Sequence, residues 1–157
     1  MAFIFLITAR EKYVEKVRTF CVKIYAIIRK KKQSESRALI RKKIKIVIKR
    51  YSAILTAMKK GKNCIYVRRL GGIIIDEEIK IIIEIIREII ENERVEWIKT
   101  FYRMLLNGDS DIRILIDCPV ERGKYYQMKK SFFNKIYECC IYKGLVSYED
   151  ILNVKIG

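Results

Sequence analysis

An isoleucine-rich segment in the middle of the chain most constrains the fold. Eight of the twelve residues from Ile79 to Ile90 are isoleucine, and they cover most of the circumference of a helix. Asp76 is a residue type that favours the helix N-cap, so the helix is expected to begin just after it. The apolar pattern continues to about Asn92, where the helix is expected to end. A helix this apolar has to be buried on most sides. We therefore expect it to lie at the centre of a packed core.

The rest of the chain predicts a mixture of helices and short strands. Runs of β-forming residues predict strands at Ala2–Thr8, Cys64–Leu70, Ile73–Ile75 and Ile112–Cys118, with a hairpin turn at Gly71-Gly72. Apolar residues at helical spacing predict helices over Arg10–Arg29, from about Ala38 through Met58, and over Tyr126–Lys143 before Gly144. After a possible break beyond Asn92, helical spacing resumes through Trp97, Phe101 and Leu105 to a stop at Asn107-Gly108. Gln33–Ser36 is expected to separate the first helix from the second. Ser147 with Asp150 is expected to cap a last short helix. The run Lys43–Lys49 also alternates like a strand, so both structures stay open there.

These elements predict an α+β fold, a helix-rich single domain over residues 1–157 with a small β-sheet. Polar interruptions of the isoleucine segment exclude a membrane-spanning helix there. The apolar N-terminal run is too short for a signal peptide. We therefore expect an intracellular protein, in the host cytoplasm if the chain is viral.

Charge divides the chain into two unequal halves. Residues 1–70 contain 21 Lys and Arg and three acidic residues, a net charge of +18, whereas residues 71–157 have a net charge of −2. A basic cluster of this density favours a polyanionic partner, because each neutralised phosphate releases condensed counterions. The residues predicted to bind nucleic acid are Arg29, Lys30, Lys31, Lys32, Arg41, Lys42, Lys43, Lys49, Arg50, Arg68 and Arg69.

Other interpretations of the basic half stay open. It could be a solvated face, although such faces usually mix both signs of charge. It could also bind an acidic protein. A membrane surface is disfavoured, because the helices lack the aromatic-rich apolar face of interfacial anchors. The expected partner is double-stranded DNA with no membrane, and homodimer formation is left open.

The absence of histidine limits the chemistry. It excludes Ser-His-Asp and Cys-His catalysis and histidine-ligated metal sites. Any hydrolysis of a phosphodiester would need carboxylates with a divalent metal, or a tyrosine or serine nucleophile.

Two groups of carboxylates are candidates for such chemistry. Glu84 and Glu88 lie on one face of the isoleucine-rich helix, where partial burial of Glu84 would call for a cation or a metal. The alternative is an exposed polar stripe whose glutamates pair with Lys80 and Arg87. Asp109 and Asp111 lead into the predicted strand at 112–118, although Asn107-Gly-Asp-Ser110 is also ordinary turn chemistry.

The Asp109-Ser-Asp-Ile112 fragment resembles the metal-binding strand of minimal nucleotidyltransferases, but Arg113 stands where the second aspartate belongs. The chain as a whole, rich in Ile and Lys and free of His, is similar to proteins of filamentous viruses of hot-acid archaea. Among these it resembles the small nuclease of the Acidianus filamentous virus (lipothrixvirus) type. That resemblance implies an α+β fold remotely like nucleotidyltransferases and action on linear duplex DNA through a glutamate.

The leading hypothesis is a metal-dependent nuclease of hyperthermophilic, viral or archaeal origin that hydrolyses linear double-stranded DNA. Its predicted catalytic residues are Glu84, Glu88 and Asp111, and its predicted Mg²⁺ ligands are Glu84, Asp109 and Asp111. The alternative is a non-catalytic nucleic-acid-binding protein, either a regulator or a protein that coats a viral genome.

Overall fold

The computed structural model describes the backbone of residues 2–69 and 71–146, and the side chains of residues 14–31, 34–69 and 71–146. The chain forms two compact units, Met1–Ala38 and Leu39–Gly157. The prediction of a single domain over residues 1–157 stays a prediction. No helix in the described parts of the chain is both long enough and apolar enough to cross a membrane.

The first helix, α1, runs over Ala2–Lys59. The predicted strand at Ala2–Thr8 and the predicted break at Gln33–Ser36 are therefore wrong, whereas the two helices expected on either side of the break are confirmed. The physical reason is that the chain contains no glycine before Gly61 and no proline before residue 119, so nothing strong ends the helix. Only Arg50 departs from helical geometry within the described stretch, with φ −124° and ψ 18°.

A two-stranded antiparallel hairpin follows, made of β1 (Cys64–Val67) and β2 (Gly71–Ile74). The predicted hairpin is confirmed, but the predicted turn at Gly71-Gly72 is wrong. Both glycines lie in β2, where Gly71 pairs with Val67 and Gly72 pairs with Tyr66. Arg68 and Arg69 form a turn after β1, and Arg69 has a positive φ of 80°.

The isoleucine-rich helix, α2 (Glu77–Asn92), has the bounds predicted from the sequence. The side chain of Asp76 caps it by accepting a hydrogen bond from the Ile79 amide at 2.9 Å. Five of its isoleucines are buried. Helix α3 (Glu96–Asn107) ends at Gly108, which adopts a φ of 78° and donates its amide to the Leu105 carbonyl at 3.2 Å.

The predicted strand at Ile112–Cys118 is wrong, because residues Asp111–Asp117 form helix α4. Ser110 begins this helix by accepting the Arg113 amide at 3.3 Å, which is ordinary N-cap chemistry. The final described helix, α5 (Arg122–Tyr142), confirms the helix predicted before Gly144 and begins four residues earlier than expected. The short helix predicted at Ser147–Asp150 lies outside the described residues.

The core lies in the second unit, where α2 packs against α5. Ile40, Ile44, Val47 and Ile54 of α1 contribute a buried face to it. Aromatic rings extend the core between α3 and α5: Tyr102 stacks on Phe132 with ring centres 4.2 Å apart. The predicted α+β class is thus confirmed at a coarse level, as a helix-rich fold with one small sheet.

Candidate nucleic-acid interface

The basic residues of the second unit are concentrated at its beginning. Residues 39–69 contain eleven Lys and Arg and no Asp or Glu. Lys42, Lys45 and Lys49 follow one another at spacings of three and four, so they share one face of α1. All three are exposed, and they lie opposite the buried Ile40, Ile44 and Val47. The helix therefore turns its apolar side to the core and a row of cations to solvent.

An open groove lies beyond this row of lysines. It has a volume of about 470 Å³ and is lined by Ser52, Ala53, Thr56, Ala57, Lys60, Lys62, Cys64, Ile65 and Tyr66. Its two lysines, at the end of α1, are exposed. The turn that carries them is fixed by backbone hydrogen bonds, including Lys62 N to the Ala57 carbonyl at 2.9 Å. The groove therefore combines fixed walls with cationic side chains at its edge.

The hairpin supplies an aromatic ring and two more cations. In β1, Val67 is buried while Tyr66 is 83% exposed, as the alternation of side chains along a strand requires. Arg68 and Arg69, in the loop that follows, are exposed. Exposed aromatic rings beside cations are the groups on which nucleic-acid bases stack.

We call the set formed by this row, the groove lysines and the loop arginines the basic surface. Its members are Lys42, Lys45, Lys49, Lys60, Lys62, Arg68 and Arg69. Four of them were among the residues predicted to bind nucleic acid. Lys45, Lys60 and Lys62 belong to the same excess of cations before residue 70, but Tyr66 was missed. The alternation of side chains along β1 would have predicted an exposed Tyr66 only if the pairing of Tyr66 with Gly72 had also been predicted.

Lys43 differs from its neighbours because its charge is compensated inside the protein. Its ammonium group makes ion pairs with Asp76 and Glu78, and its side chain is only 18% exposed. Burial by itself would lower the pKa of Lys43, but the hydrogen bonds to the two carboxylates outweigh it and raise the pKa. Burial by itself would raise the pKa of Asp76. The hydrogen bonds that its carboxylate accepts from Lys43 and from the Ile79 amide outweigh burial and hold this pKa below its usual value. Lys43 thus links α1 to the start of α2, and we leave it out of the basic surface.

The other predicted cations lie in varied surroundings. The Arg41 guanidinium lies 4.6 Å above the ring of Tyr137, a cation–π contact with α5. Arg50 is exposed at the irregular turn of α1. Arg29, Lys30 and Lys31 are exposed in the first unit. Lys32 also lies in α1, but its side chain is outside the described ones.

Glu84 and Glu88 lie on the exposed face of α2. Glu84 is exposed, which agrees with the exposed polar stripe and not with partial burial of this residue; the buried isoleucines occupy the rest of the circumference. Glu88 is also exposed, and its carboxylate lies 2.8 Å from Nζ of Lys143, the residue that follows α5. This hydrogen bond raises the pKa of Lys143. The expected pairing with Lys80 is not found, since Lys80 pairs with Glu77.

The two aspartates around Ser110 face different partners. Asp109 lies 3.2 Å from Arg113 within the same helical turn. Asp111 accepts hydrogen bonds from the hydroxyl of Tyr125 and from Lys129 Nζ, which hold its pKa below the usual value. Tyr125 is buried, and burial together with the Asp111 contact raises the pKa of its hydroxyl. A hydroxyl that stays protonated in this way suits a hydrogen-bond donor better than a nucleophile.

The predicted metal ligands are not brought together. Over residues 14–31, 34–69 and 71–146, no group of three or more His, Cys, Asp or Glu side chains is arranged to hold a metal ion. Glu84 therefore forms no such group with Asp109 and Asp111. The fragment that resembles nucleotidyltransferases also lies at the start of helix α4 and not on a strand.

Comparison of the chain with protein-family models, with curated proteins and with solved structures found no match. Function is therefore inferred from the charge and geometry of the chain's own residues.

Proposed function

We propose that this protein binds duplex DNA through the phosphate backbone, using the basic surface of its second unit. The observation that carries the proposal is the run of eleven cations without one acid over residues 39–69, folded so that Lys42, Lys45 and Lys49 line one exposed face. Phosphates repeat along a duplex, so a row of cations on one helix face matches them better than it matches isolated acidic groups.

The surface supports binding that depends on charge more than on base sequence. Lysines act as point charges toward phosphate and carry little information about bases. Tyr66 and the two loop arginines are the groups best placed to add contacts with bases. The proposal corresponds to the non-catalytic alternative considered from the sequence, a nucleic-acid-binding protein such as a regulator or a genome-coating protein.

Hydrolysis of DNA is a separate proposal. The structure adds no support for it from the predicted carboxylates Glu84, Glu88, Asp109 and Asp111. Among the described residues, none of these carboxylates belongs to a group of three or more side chains that could hold a metal ion. Mg²⁺-dependent cleavage rests on the absence of histidine and on the sequence resemblance, and the viral origin rests on that resemblance.

The binding proposal is tested by removing the lysine row. In the variant Lys42→Gln/Lys45→Gln/Lys49→Gln, the affinity for a linear duplex at low salt should fall by at least about tenfold. The matched control is Arg122→Gln/Lys124→Gln/Lys130→Gln, which removes the same charge from exposed positions of α5. Equal losses in both variants would attribute binding to net charge and would contradict a specific surface.

A further inference from the structure

The first unit exposes an apolar stripe along α1. Its side chains recur at helical spacing, and all of them are exposed: Val14, Val17, Phe20, Cys21, Ile24, Tyr25, Ile27 and Ile28. The exposed fractions reach 63% for Phe20 and 70% for Tyr25. A contiguous set of large apolar groups in solvent marks an interaction surface.

The stripe is broad. At about 100° per residue, the arc from Ile27 through Val17 to Tyr25 covers about 160° of the helix. The seam of a two-stranded coiled coil needs only the a and d positions of each heptad, which is narrower. A face of this width suits burial in a continuous apolar medium.

Cations flank the stripe on both edges. On the helical wheel, Arg18 and Arg29 follow one edge, and Lys16 and Lys23 follow the other. Six Lys and Arg and a single acid, Glu15, occur over residues 14–31. The partner of this face therefore has to be apolar at its centre and anionic at both sides.

We propose that residues 14–30 of α1 bind to the surface of a membrane that contains anionic lipid, with the helix axis parallel to the surface. The apolar stripe enters the boundary between headgroups and acyl chains, and the flanking cations contact lipid phosphates. Long Lys and Arg side chains reach the headgroups while their stems stay in apolar surroundings. The sequence argued against a membrane for want of aromatic residues on the apolar face, but Phe20 and Tyr25 lie on that face and are exposed.

A second copy of the chain fits the stripe less well. Two copies packed through it would bring the cations of both edges close together, with Glu15 as the only acid of each segment to compensate them. Like charges at such distances destabilise an interface. Anionic lipid supplies the opposite charge at every edge position.

The test is co-sedimentation of the full chain with vesicles. Binding to vesicles of equal parts phosphatidylcholine and phosphatidylglycerol should exceed binding to phosphatidylcholine alone by at least tenfold. The variant Phe20→Glu/Ile24→Glu should lose at least tenfold of this binding. The control Thr19→Glu/Ala26→Glu introduces the same charge on the opposite face and should lose much less.

Three outcomes would overturn the proposal. They are equal binding to both kinds of vesicle, equal losses in the two variants, and a stable lipid-free dimer that only Phe20→Glu/Ile24→Glu dissociates. Far-ultraviolet circular dichroism shows whether each variant keeps its helix, and a second apolar-face variant, Phe20→Ser/Ile24→Ser, repeats the test without adding charge. Duplex binding through Lys42, Lys45 and Lys49 should persist in these variants, so failure here is distinct from failure of the DNA proposal.

Discussion

Tyr66 lies directly opposite Gly72 in the antiparallel hairpin, so no side chain from the neighbouring strand covers its ring. The ring is 83% exposed and stands at the edge of a groove that also contains Lys60 and Lys62. Aromatic rings beside cations are suited to stacking on nucleic-acid bases, and we propose that role for Tyr66.

The first prediction concerns this ring. Tyr66→Ala should weaken binding of a single-stranded oligonucleotide by at least about fivefold, since stacking contributes about 1–3 kcal/mol per base. Tyr66→Phe keeps the stacking surface and should bind like the wild type. Fluorescence anisotropy with a labelled oligonucleotide measures both. If alanine and phenylalanine variants bind equally well, base stacking on this residue is excluded.

A second prediction separates two adjacent cations of α1. Lys43→Gln removes the ion pairs with Asp76 and Glu78 and should lower the free energy of unfolding by about 1 kcal/mol, while duplex affinity changes little. Lys45→Gln removes the same charge from an exposed position. It should weaken duplex binding and leave the free energy of unfolding nearly unchanged. Urea denaturation and a duplex-binding titration of both variants decide the matter. A loss of affinity that is larger for Lys43→Gln contradicts the assignment.

The third prediction is a pH dependence of stability. The pKa of Asp76 is lowered by folding from an ordinary value of 3.8, so its contribution is present above that pH and is lost as the pH falls through the lower folded value. The pKa of Lys43 is raised from 10.5, so its contribution is complete below that pH and is lost as the pH rises through the folded value.

The contact between the two residues should therefore contribute a constant amount between about pH 4 and pH 10. Asp76→Asn keeps an N-cap side chain but removes the charge, so it should flatten the acid limb of the stability curve. Denaturant midpoints measured from pH 2 to pH 7 test this. An acid limb as steep in Asp76→Asn as in the wild type would show that other carboxylates, such as Asp111, account for it.

The fourth prediction concerns cleavage. If the nuclease hypothesis is correct, the wild type degrades linear duplex DNA with Mg²⁺, and Glu84→Ala or Glu88→Ala abolishes degradation while duplex binding persists. Glu88→Ala also breaks an exposed ion pair with Lys143, so little change in stability is expected from that loss. Gel electrophoresis of end-labelled DNA distinguishes the outcomes. Intact DNA after incubation with the wild type contradicts the nuclease hypothesis and leaves the binding proposal unchanged.

Sequence reasoning succeeded where the controlling chemistry is local. Asp76 caps α2 and Gly108 ends α3 as predicted, because each depends on a side chain or a positive φ within one turn. It failed at residues 111–117, where Ile112, Ile114 and Ile116 recur at every second position. The helix there buries Ile114 but leaves Ile112 and Ile116 more than 70% exposed, an arrangement that the burial pattern of a strand does not anticipate.

The candidate site was predictable in charge but not in geometry. The excess of cations before residue 70 is evident in the sequence. The exposure of Tyr66 follows from its pairing with Gly72, and that register depends on a turn at Arg68 and Arg69 in place of the glycine pair. The pairing of Lys43 with Asp76 joins residues 33 positions apart and depends on the packing of α1 against the start of α2, which no local pattern reveals.

The salt dependence of duplex binding tests the central claim most directly. The logarithm of the association constant of the wild type should fall linearly with the logarithm of salt concentration. For Lys42→Gln/Lys45→Gln/Lys49→Gln the slope should be smaller in magnitude by about 2 to 3, because each phosphate contact contributes about 0.9. The α5 control should keep the wild-type slope. Identical slopes for the wild type and the lysine-row variant would contradict phosphate binding by this surface.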